Sequence, residues 1–99
     1  MTEFNLTFND VQFDINAEWH EHIPATYLQP EEGGYYIIDE IYWNGHDVTG
    51  LFYNPSKLIT KKGEDLYFGK VNVNDLYFLL EIEKPWVDIE TEFNNTYKN

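Results

Sequence analysis

Glu18, His20 and His22 stand at alternate positions, a spacing that puts one carboxylate and two imidazoles on the same side of an extended strand. A His-x-His pair with a carboxylate is a ligand set that zinc accepts, and His46 could add a fourth ligand. The spacing does not fix where His46 lies relative to the pair, and the three residues read as well as a solvated strand end, so no metal is assigned. General acid–base chemistry needs paired carboxylates in a cleft, and with eighteen Asp and Glu some pair falls close by chance. The chain has one Ser, no Cys, no Arg and no glycine-rich phosphate loop, a poor kit for nucleophilic catalysis or phosphate handling. The expectation is a protein that is not an enzyme, with no catalytic residue and no cofactor.

Charge is more informative. Eighteen acids face six Lys, for a formal net charge of −12. Guanidinium forks are the usual grip on phosphates and nucleic acid, so the lack of Arg argues against direct nucleic-acid binding. Residues 1–56 carry −10 with no fixed basic side chain, residues 57–70 carry +2, and residues 71–99 carry −4. Such asymmetry steers a cationic partner, whereas solubility alone needs a net charge of only about 2–8 in a small domain. A compact chain of this length would be roughly 34 Å across. Duplex DNA shows about 20 phosphates over that span, a number of the same order as the carboxylates here.

Carboxylates alone give steering without a dry centre, so the contact surface is expected where acids meet exposed aromatics. Two candidate partner-binding patches follow. One joins Glu18, Glu21, Glu31, Glu32, Asp39, Glu40 and Asp47, with Tyr35, Tyr36 and Tyr42 nearby; the other places Asp88, Glu90 and Glu92 beside Trp86. The competing role for these aromatics is core packing, which weighs more for Trp19, Trp43 and Trp86 than for the tyrosines.

The elements that must position these residues read mainly as strands. Phe4, Leu6 and Phe8 alternate with polar residues, Asn9-Asp10 interrupts, and Val11, Phe13, Ile15, Ala17 and Trp19 alternate again. A two-residue loop there pairs Phe8 with Val11, Leu6 with Phe13 and Phe4 with Ile15, putting every apolar side chain on one face. Residues 20–34 read as a loop around Pro24, Pro30 and Gly33-Gly34. Residues 35–43 read as a strand with a bulge at Asp39-Glu40, closed by Asn44-Gly45 in a type I′ turn. Asn54-Pro55 to Lys62-Gly63 has the start and stop signals of one short helix near 55–62. Val71 and Val73, Asn74-Asp75, then Leu76 to Ile82 read as a second hairpin. Residues 86–97 fit either period: Trp86, Ile89, Phe93 and Tyr97 are helically spaced, while Val87, Ile89, Thr91 and Phe93 alternate.

The fold expected over residues 1–99 is one acidic, mainly β domain, an antiparallel sheet or small sandwich on two hairpins with one short helix. The alternative is α+β with a C-terminal helix near 86–97. Aromatics at 18% are too many for a disordered acidic tail. No run reaches the ~18–20 apolar residues of a membrane span, and the first residues lack the basic start of a signal peptide. A cytoplasmic protein without a membrane partner is expected.

The loop Tyr27-Leu28-Gln29-Pro30-Glu31-Glu32-Gly33-Gly34, the strand Ile38–Trp43 and the following Asn44-Gly45-His46-Asp47-Val48-Thr49 together resemble a pattern of small acidic phage-encoded proteins. Those have a Pro- and Gly-bearing loop, a strand and Asn-Gly-x-Asp-Val-Thr. The likeness covers about a quarter of the chain and departs at the Lys-rich segment 54–63. It implies a phage origin, hence the host cytoplasm and a class in which inhibitors of host defence that imitate DNA recur. The expected function is stoichiometric occlusion of a basic nucleic-acid-binding surface on a nuclease or defence complex, as anti-restriction or anti-CRISPR proteins do. The alternative is a non-enzymatic interaction or assembly module, its charge serving solubility and its aromatics a homodimer.

Overall fold

The alternation near the N-terminus folds as its period requires. A computed structural model describes residues 2–55, 59–61 (backbone only) and 65–98. Strand β1 (Thr2–Phe8) pairs antiparallel with β2 (Val11–His20) in the predicted register: Phe8 faces Val11, Leu6 faces Phe13 and Phe4 faces Ile15. Asn9 and Asp10 have φ of 50° and 65°, the left-handed pair that a type I′ turn demands. Strand β3 (Tyr35–Trp43) adds to β2, and Asn44-Gly45 turns it into the two-residue β4 (His46–Asp47), giving a sheet ordered β1-β2-β3-β4.

The expected bulge in β3 governs which residues face inward. Asn16 lies opposite Glu40 but Ala17 lies opposite Ile38, so Asp39 is the extra residue. Because of it, Tyr36 and Ile38 share a face with Ile41 and Trp43, across an odd step in sequence. Phe4, Leu6, Phe8, Phe13, Ile15 and Ala17 complete that face.

Helix α1 (Thr49–Tyr53), a 3-10 segment (Asn74–Leu80) and helix α2 (Pro85–Tyr97) supply the side chains that cover it. Leu51, Phe52, Leu76, Leu79, Ile89 and Phe93 are fully buried there. Phe13 meets Phe52 edge-on at 5.4 Å, and Phe93 meets Phe4 at 5.0 Å. Each such large apolar side chain contributes about 1.5–3 kcal/mol of transfer free energy.

Two amide side chains tie the layers. The Asn94 carboxamide brackets the Tyr36 backbone, accepting from its N–H at 2.7 Å and donating to its carbonyl at 3.1 Å. Beyond the main sheet, β5 (Ile59–Lys61), β6 (Asp65–Phe68) and β7 (Val71–Asn72) form a small antiparallel sheet. There the Leu66 N–H donates to Asn74 Oδ1 at 2.5 Å, and Asn74 Nδ2 donates to Asp65 Oδ1 at 2.9 Å.

Two expectations change, and one left open is settled. The helix near 55–62 gives way at Ile59–Lys61 to strand β5, which pairs with β6, and its remainder largely lies outside the described residues. Ile59 and Thr60 are β-branched and favour that pairing; the short helix forms earlier, at Thr49–Tyr53. The second hairpin does not form either. Val71 pairs back with Phe68, and the chain from Asn74 winds into two 3-10 turns kinked at Leu76. The side-chain bonds of Asn74 start that winding, and Val73, Leu76 and Leu79 bury at steps of three. Residues 86–97 are helical, with Pro85 at the start and Pro85, Ile89 and Phe93 buried along one stripe. Among the described residues no helix is long and apolar enough to cross a membrane.

Candidate functional site

A sheet covered on one side presents its alternate residues to water on the other. Here that open face carries Glu3, Asn5 and Thr7 from β1, Gln12, Asp14, Asn16, Glu18 and His20 from β2, and Asp47 from β4. From β3 it carries Tyr35, Ile37, Glu40 and Tyr42. Cross-strand pairing sets Asp14, Tyr42 and Asp47 in one row and Glu3, Asn16 and Glu40 in the next. Neighbouring strands lie about 4.8 Å apart, so alternate members of a row are ~10 Å apart. The four strands contain no Lys or Arg.

Part of the array is fixed in place. Glu40 accepts from Asn16 Nδ2 at 3.2 Å and from the Tyr42 hydroxyl at 2.7 Å, which holds its carboxylate in one orientation. That bond to Glu40, with desolvation and the charges of Glu40 and Asp47, raises the Tyr42 phenol above its ordinary value. Tyr42 therefore stays a neutral donor amid carboxylates. Asp47 accepts from the Thr49 N–H, and Thr49 Oγ1 accepts from the Ile41 N–H at 2.9 Å, so β4 and the start of α1 hold the rim.

Of the first predicted patch, Glu18, Glu40 and Asp47 lie on this face and Asp39 protrudes at the bulge. Tyr35 stands exposed at the end of β3, its ring 5.4 Å from His20. Tyr36 points the other way. It packs against Phe4, Trp19 and Phe93 on the covered side, so it is removed from the surface set. Glu21, Glu31 and Glu32 are exposed on the segment joining β2 to β3. Glu31 lies 2.8 Å from His22 Nε2. His46 sits at the opposite end of the sheet, opposite Trp43, and among the described residues no three metal-capable side chains converge.

The second patch divides. At about 100° per residue, Trp86 and Glu90 lie on one flank of α2 and Asp88 and Glu92 on the other. Trp86 stacks on Tyr53 with ring centroids 3.9 Å apart and planes 14° from parallel. Burial raises the pKa of the Glu90 carboxyl from its ordinary value. Glu90 and Tyr35 line one shallow groove of about 390 Å³ with Thr91, Asn94, Asn95 and Lys98, so one member of each patch meets there.

Neither predicted patch included Asp14 or Glu3, though their alternation with the core residues of β1 and β2 puts them on the open face, nor did either include Tyr27 and Leu28. The last two were visible as large apolar residues in a loop with no neighbouring strand to bury them. Compared with known proteins, the chain finds no matching family model, no matching curated protein and no matching solved structure.

Proposed function

We propose that the protein is an anionic inhibitor that lays the open face of its sheet into the positively charged nucleic-acid groove of a partner protein, in the manner of a DNA mimic. The observation that carries this reading is the uncovered face itself: Glu3, Asp14, Glu18, Glu40 and Asp47 stand in cross-strand rows with no Lys or Arg on the four strands. A groove that releases counterions when it takes up phosphates gains by the same route from fixed carboxylates. Tyr42, Tyr35 and Ile37 supply the less polar contact that charge alone lacks. The partner belongs to the nuclease or defence class, and no direct nucleic-acid contact is involved.

The test is protection of DNA from a panel of purified restriction and RNA-guided nucleases at graded salt. One-to-one inhibition of a panel member is expected, with affinity falling ~10³-fold or more between about 50 and 200 mM salt. Reversing Asp14, Glu18, Glu40 and Asp47 together to Lys should abolish it. Inhibition that survives the reversal would dismiss this face. The assembly-module reading draws on β1, an edge strand whose outer backbone groups meet Tyr97 only through the Asn5 carbonyl among the bonds described. It requires instead a salt-tolerant oligomer on a sizing column.

A further inference from the structure

The β2–β3 pair does not stop where its regular ladder does. The Gly34 N–H donates to the His20 carbonyl at 2.7 Å, and Ile23 and Glu32 exchange two backbone bonds of 2.7 and 3.1 Å. Thr26 and Gln29 then close the end: the Thr26 N–H donates to the Gln29 carbonyl at 2.8 Å and the Gln29 N–H to Thr26 Oγ1 at 3.1 Å. Residues 21–34 therefore form a narrow arm, its tip ~20 Å past the last ladder pair at about 3.3 Å per residue. The molecule measures 58 × 24 × 20 Å, with a radius of gyration of 15.8 Å. A compact chain of this length would have about 13 Å.

Tyr27 and Leu28 occupy the two central positions of the closing turn and are 100% and 85% exposed. Such positions ordinarily go to Gly, Asn, Asp, Ser or Pro. Two large apolar side chains there add nothing to the core. The stem behind them bears exposed Glu21, Glu31 and Glu32 and no basic side chain other than the imidazole of His22, which is engaged by Glu31.

We infer that the arm is a plug: Tyr27 and Leu28 enter an apolar recess on the partner protein, and the stem acids meet a Lys- or Arg-bearing rim around it. The inference rests on the inhibitor reading, with the arm and the open face gripping one partner. Charge selects this occupant over two others. An anionic membrane repels the stem. A second copy brings the same sign, and the groove described above offers the tip mostly polar walls. A projecting Tyr27 on a hydrogen-bonded turn has the make-up of an interface anchor, buried on binding and ringed by polar contacts, and Leu28 beside it adds apolar area to bury.

The experiment places a photoreactive benzoylphenylalanine at position 27 in one version of the full chain and at position 42 in another, and irradiates each in a bacterial lysate at about 50 mM salt. From position 27 the expected product is an adduct with a protein other than itself. Its cross-linked peptide should be apolar and flanked by Lys or Arg, and a Leu28→Asp change should cut the yield ~10-fold or more. Thermal unfolding of the Leu28→Asp chain should match the parent, because the tip touches no core residue. No adduct, an adduct at twice the chain's mass, a peptide without basic residues, or a yield unmoved by Leu28→Asp would each overturn the plug. An adduct from position 27 with none from position 42 would instead strike the sheet-face reading alone.

Discussion

A methyl group added at Gly33 would sit 1.9 Å from the Glu21 carbonyl oxygen, and its φ of +79° is a conformation that L side chains rarely adopt. A non-glycine residue there costs roughly 1–2 kcal/mol for the backbone alone, before the clash. Gly33→Ala is therefore expected to open the base of the arm while leaving the core intact: amide exchange at Ile23 and Glu32 should quicken, with little change in melting temperature. Glu90 tests the other side of residue-scale energetics. Its folded-state pKa lies above its unfolded value, so the native state holds the proton more tightly. That contribution is favourable at low pH and is lost as pH rises through the folded value. Glu90→Gln should thus raise the melting temperature at pH 7 by no more than ~2–4 °C, from about 0.5 kcal/mol after solvent screening, and the gain should fade towards pH 4. A gain that persists in acid would point to a cause other than ionisation.

At the scale of elements, the amide bracket of Asn94 on Tyr36 is the most exposed to test. Asn94→Ala strands a half-buried N–H and carbonyl, at a cost of about 2 kcal/mol. A melting temperature lower by ~8–16 °C, with faster exchange at the Tyr36 amide, is the expected result. An unchanged melting curve would mean that water replaces the bracket. This kind of contact also marks the limit of what could be read from the chain. The first hairpin was legible because Asn9-Asp10 interrupts a strict period of two, so local chemistry and burial agree. Asn74-Asp75 has the same look, yet the Asn74 side chain is captured by Leu66 and Asp65, and no local pattern announces a bond of that reach. The candidate face follows the same division. Glu18 and Glu40 follow from alternation and the expected bulge, whereas the inward packing of Tyr36 depends on Phe4, Trp19 and Phe93, brought to it from other elements.

For the whole molecule, a net charge of −12 opposes folding through self-repulsion. Salt screens it, so the melting temperature is expected to rise by several degrees between ~10 mM salt, where the Debye length is about 30 Å, and 1 M, where it is about 3 Å. A flat response would mean that the carboxylates are already too far apart to interact. The elongated outline has its own signature: X-ray scattering should give a radius of gyration well above the compact value, and excising residues 24–31 should bring it down towards ~13 Å. Every lysine follows residue 56, while the open face belongs wholly to the first 47 residues. The rows of Glu3, Asp14, Glu18, Glu40 and Asp47, with no Lys or Arg on their four strands, therefore make that side of the particle a source of field of one sign. A distant field turns the particle before any atoms touch, so fewer collisions with an oppositely charged body are spent in the wrong orientation.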